Sequence, residues 1–116
     1  MNNKEEIIDI PMDLYESEDE ITIIIPLWWV NKNSIEICLE KTTITVNGER
    51  SQPKLKENLM PLKQECFRWK FQKEILLPQN VYFDKIHTKL LENNILIITV
   101  PKIIIPEKIK LKIETN

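Results

Sequence analysis

Cys38, Cys66 and His87 are the residues of this 116-residue chain best suited to nucleophilic or metal chemistry. A thiolate nucleophile needs a base beside it, and a metal site needs several ligands brought together. The cysteines form no C-x-x-C pair and a single histidine gives them no cluster, so two small, reduced, half-buried thiols are expected. Asp13, Glu16, Glu18 and His87 form no grouping with the spacing of an acid–base pair. Gly48 is the only glycine. Phosphate-cradling loops and nucleophile elbows need glycines for close backbone approach, and none can be built here. The expectation is a protein that is not an enzyme and has no metal or cofactor.

Charge and hydropathy narrow the partners. Sixteen basic and eighteen acidic residues leave a net charge of −2, and lysines and glutamates are interspersed. Without a basic stripe, no nucleic acid partner is expected. The longest apolar run, Ile21–Val30, is broken by Pro26 and is too short to span a bilayer, so no membrane partner is expected either. The opening "MNNKEEIIDI" lacks a signal-peptide core, which makes a cytoplasmic location the expectation. A hydrophobic share of 42% with 29% charged residues is that of a globular domain.

The elements available to position any site are strands. Asp13–Glu16, Glu20–Leu27, Ser34–Glu40, Thr43–Arg50, Phe71–Pro78, Lys85–Leu91 and Ile95–Val100 are short, alternating or apolar, and separated by turn residues. Seven such segments predict an all-β, antiparallel, immunoglobulin-like β-sandwich. No stretch carries a helical period, although residues 79–85 can form a single turn. Two segments do not fit a meander. Ser51–Cys66 is long and polar, with two prolines and one apolar island, Leu59–Leu62, that contains the second of them. A loop of this length is functional or disordered, and Pro61 allows only an edge strand. In the tail, Ile109, Leu111 and Ile113 alternate with Lys108, Lys110 and Lys112, which is strand spacing without a sheet to lie in. Trp28 and Trp29 are adjacent, so on a strand one faces the core and the other packs beneath the loop or a partner. The sharper alternative is an exposed apolar contact for other proteins.

Together these segments resemble the α-crystallin domain of the small heat-shock proteins. "PMDLYESEDEITIIIPL" (Pro11–Leu27) is similar to that family's opening P-x-D-[IV]-Y-E and the strand after it. "ITVNGER" (Ile44–Arg50) is similar to l-x-I-x-G-E-R, with Gly48 in what reads as a turn. "FQKEILLP" resembles F-x-R-x-[IV]-x-L-P with Lys73 at the usual arginine. "ENNILIITVPK" (Glu92–Lys102) resembles E-N-G-V-L-x-I-x-V-P-K, with Asn94 replacing glycine and expected at positive φ. "LKI" or "IKL" reads as the I-x-I motif of the tail. Five motifs occur in the family's order, from Pro11 to Glu114. One extra residue near Leu91 is read as a bulge or a longer turn. The family's long N-terminal arm, which contributes to large assemblies and to client capture, is reduced here to about ten residues, so less of both is expected.

The resemblance implies a domain over residues 11–102, preceded by an arm at 1–10 and followed by a C-terminal extension at 103–116. It implies an ATP-independent holdase that binds partly unfolded proteins before they aggregate. The loop, taken as residues 51–70, would be the swapped-strand type of bacterial, archaeal and plant members. It would form a homodimer interface of Leu14, Tyr15, Leu59, Met60, Leu62 and Glu65. The tail motif, Ile109, Leu111 and Ile113, would lie in a neighbour's groove edged by Ser34–Leu39 and Ile86–Leu91. Ile35, Ile37, Leu39, Thr88 and Leu90 would line that groove, which could also take clients, while the lysine face stays wet. Trp28 and Trp29 are the further client contacts considered. Ile103–Ile105 is read as strand extension and linker ended by Pro106. Two rival readings are an accessory subunit of a hetero-oligomer with a longer paralogue and a co-chaperone module of the CS-domain kind.

Overall fold

Isoleucines at every second position fix where the layers meet. The structure is a computed structural model that describes residues 6–50, 55–63, 65, 69–104 and 108–115. Among these, the strands are β1 (Glu6–Ile8), β2 (Asp13–Glu16), β3 (Glu20–Pro26), β4 (Glu36–Glu40), β5 (Thr43–Arg50), β6 (Trp69–Leu76), β7 (His87–Leu90) and β8 (Ile95–Pro101). They form two four-stranded sheets, ordered β1-β6-β5-β4 and β2-β3-β8-β7. Every pairing is antiparallel except that of β1 with β6. The fold is the expected β-sandwich.

Period two sends Ile21, Ile23 and Ile25 of β3 and Leu96, Ile98 and Val100 of β8 inward from one sheet. Ile44 and Val46 of β5 and Phe71 and Ile75 of β6 meet them from the other, and all are buried. Each such side chain is worth about 1.5–3 kcal/mol when removed from water. Two lysines hold neighbouring chain segments against the ends of the sheets. Lys73 donates to the Ile10 carbonyl at 2.8 Å and pairs with Asp9 at 3.0 Å. Lys102 pairs with Glu16 and donates to the Ser17 carbonyl at 2.7 Å.

Several details differ from expectation, each for a local reason. β4 starts at Glu36, not Ser34, because Asn31 accepts from the Asn33 N–H at 3.1 Å and caps a 3-10 turn over Lys32–Ser34. The single turn expected within residues 79–85, by contrast, is present as a 3-10 turn at Phe83–Lys85. β1 was expected as part of an arm, but it adds to the edge of β6, with Glu6 opposite Trp69 and Ile8 opposite Phe71. Three residues are too few to show a period.

Gly48 is not in a turn. It lies within β5 opposite Phe71 and has no positive φ. Glycine is needed because an added Cβ would strike the Phe71 ring and come within 3.1 Å of Val30. Asn94 does adopt positive φ, at 60°. The extra residue near Leu91 is absorbed in the β7–β8 turn, where the Asn94 N–H donates to the Leu91 carbonyl at 2.9 Å. The register is unbroken from His87 opposite Thr99 to Leu90 opposite Leu96.

Candidate functional site

Cross-strand partners share a face of the sheet, so the register shows which side chains of the edge strands point inward. On β4, Ile37 lies opposite Val46 and Leu39 opposite Ile44, and both partners are buried. On β7, Thr88 lies opposite Ile98 and Leu90 opposite Leu96, again buried partners. Yet Leu39 is 43% exposed and Leu90 37%, and Thr88 is exposed as well. Ile35 and Ile37 are half-buried against the core. These side chains face inward without being covered, since β4 and β7 are the outermost strands of their sheets among the described residues. Apolar surface and unpaired backbone therefore coincide at both edges, which is what an incoming strand requires. The outward residues differ in charge: Glu36, Cys38 and Glu40 on β4, His87 and Lys89 on β7.

The second sheet ends on its other side at β2, with no strand beyond it among the described residues. Leu14 faces inward, opposite buried Ile23, and Tyr15 outward, opposite Thr22; both are exposed. In the excursion between β5 and β6, Leu59, Met60 and Leu62 are exposed, and Leu62 is 100% so. Glu65 pairs with Lys63 at 2.9 Å in solvent. Among the described residues the island is not part of the buried core and forms no strand.

The tryptophans correct the expectation that one of them is buried. Trp28 is 58% exposed and Trp29 72%, while the flanking Leu27 and Val30 are buried. The Val30 N–H donates to the Leu27 carbonyl at 3.3 Å, closing a turn that presents both rings outward. Trp29 has φ 73°, a conformation costly for a bulky residue. The Arg50 guanidinium lies 5.5 Å from the Trp29 ring centre. Sequence reasoning missed this turn, because it placed the adjacent tryptophans on a strand.

The tail residues Ile109, Leu111 and Ile113 are exposed, as are Lys108, Lys110 and Lys112. Cys38 is an exposed free thiol, so it is more open than expected. Cys66, Ile105 and Pro106 lie outside the described residues. No group of metal-ligating side chains occurs among the described residues, and no helix there is long and apolar enough to cross a membrane.

Among known proteins, the model of the Hsp20/alpha crystallin family matches residues 13–114. The chain is 31% identical to 18 kDa antigen 2 of Mycobacterium avium over 92% of its own length and 74% of that protein. It is 29% identical to small heat shock protein C2 of Rickettsia felis over 78% of its own length and 58% of that relative. The chain thus spans little more than half of the latter. A small heat-shock protein of Xylella fastidiosa superposes with a TM-score of 0.67, covering 91% of this chain and 96% of that one at 17% identity.

Proposed function

The chain belongs to the Hsp20/alpha crystallin family, and from that premise we propose that it is an ATP-independent holdase that binds non-native proteins in the cytoplasm. The observation that carries the reading is the row of inward-facing but uncovered side chains at Leu39, Thr88 and Leu90. A holdase needs apolar surface that can be shown or hidden. A strand laid along these edges would hide it, and burying two tail side chains at about 1.5–3 kcal/mol each, before ordering costs, gives a weak, exchangeable contact.

Three contacts make up the proposal. Within it, residues 11–102 act as the domain, and the tail of one chain, through Ile109, Leu111 and Ile113, occupies the groove edged by β4 and β7 of another. The excursion pairs through Leu59, Met60 and Leu62 with Leu14 and Tyr15 of a partner, forming a swapped dimer with Glu65 at its margin. Exposed Trp28 and Trp29 offer clients a further apolar contact.

The test is light scattering of a heat-labile model enzyme, with and without this protein and without ATP. Suppression of aggregation at near-stoichiometric ratios is expected. Failure to suppress, alone and at any ratio, would refute the holdase reading. Activity appearing only when a longer family member is added would support an accessory subunit.

A further inference from the structure

The two edge strands β4 and β7 are not equivalent. β4 presents Glu36 and Glu40 outward, and β7 presents His87 and Lys89. The tail presents Lys108, Lys110 and Lys112 on the face opposite its apolar residues. Among the described residues, Glu36 and Glu40 have no ion-pair partner, and neither have the three tail lysines. A tail added to β7 would set lysine beside Lys89, whereas one added to β4 would set lysine beside glutamate.

Spacing then selects a direction. Glu36 and Glu40 are four residues apart, about 13 Å on a strand, and so are Lys108 and Lys112. An antiparallel tail with Lys112 opposite Glu36 and Lys108 opposite Glu40 also puts Ile113 on Ile35, Leu111 on Ile37 and Ile109 on Leu39. All three apolar contacts and both charge pairs form together. The parallel register with the same three apolar contacts aligns Glu114 with Glu40, a like-charge pair, and keeps only one lysine beside a glutamate. A register shifted by one residue turns the lysines into the groove.

We propose that the tail of a second copy of this chain docks antiparallel on the free edge of β4, with Lys112 and Lys108 paired to Glu36 and Glu40 and Lys110 beside Cys38. This deepens, and rests on, the tail-in-groove reading above. The charge pairs set strand choice and register; the apolar row supplies the holding force.

Cys38 provides the test, because directly opposed residues on neighbouring strands bring their Cα atoms within disulfide range. In a Cys66→Ser background, Lys108→Cys, Lys110→Cys and Lys112→Cys are oxidised mildly and resolved without reductant. Lys110→Cys is expected to give intermolecular cross-links at least about tenfold faster than the other two. Cross-linking led by Lys112→Cys would mean the parallel register and overturn the proposal, as would equal rates at all three positions or purely intramolecular bonds. Charge exchange provides a second readout. Glu36→Lys with Glu40→Lys is expected to weaken assembly about tenfold, adding Lys108→Glu with Lys112→Glu to restore it, and Lys89→Glu not to weaken it. Failure of the restored pair would also overturn the proposal. Removal of residues 108–116 separates this from the underlying reading. If that deletion leaves the particle size unchanged, tail docking itself fails; if it shrinks the particle while no cross-link forms at position 110, only the register falls.

Discussion

Gly48 and Trp29 carry opposite kinds of constraint, and each predicts the sign of a substitution. Gly48 has ordinary extended backbone, so its requirement is steric: the Phe71 ring lies across it, with Val30 behind. Gly48→Val is expected to destabilise by about 1–3 kcal/mol through overpacking, read as a lower urea midpoint. An unchanged midpoint would mean that the ring moves away freely. At Trp29 the cost is in the backbone, at φ 73°. Releasing it with Trp29→Gly returns about 1–3 kcal/mol of strain, against about 0.5–1 kcal/mol lost with the Arg50 contact. A rise of a few degrees in thermal midpoint is therefore expected; a fall would show that the ring's contacts outweigh the strain. Asn94 was readable from the sequence because asparagine tolerates positive φ locally. The reason for Gly48 was not, because it depends on an aromatic ring from a different strand.

At the scale of elements, alternation made most of the fold legible. β2 and β5 run over the same residues as their sequence patterns, and β8 extends its pattern by one residue, to Pro101. β1 was not legible: its place depends on the edge of β6 and on Lys73 reaching Ile10. The edge strands were readable as strands, but not the exposure of their inward side chains, which depends on what covers them. The excursion raises the same question for Leu59, Met60 and Leu62, which are exposed and lie outside the buried core among the described residues. Replacing all three with serine is expected to leave sheet content unchanged while converting dimers to folded monomers in sedimentation velocity. A variant still dimeric at micromolar concentration would mean that the excursion is not the dimer contact.

For the whole molecule, the question is whether the tail belongs to its own sandwich or to an assembly. Ile109, Leu111 and Ile113 lie outside the buried core, so truncating them removes nothing that the sandwich packs against. In an assembly, Leu111→Ala with Ile113→Ala deletes two anchors from every tail contact. With core substitutions as the upper guide, the loss is on the order of 2–5 kcal/mol per contact. The expected outcome is smaller particles, down to dimers, with circular dichroism unchanged and a thermal midpoint within a degree or two of the parent. On the proposed reading, a groove without its tail would offer Leu39, Thr88 and Leu90 to clients, so suppression of aggregation is expected to hold or rise as the particles shrink. If the double variant unfolds instead, the tail is part of its own domain's stability and the assembly reading fails. If particle size falls and suppression falls with it, the groove serves assembly alone, and client capture then belongs elsewhere on the surface, with Trp28 and Trp29 the exposed aromatic pair to test next.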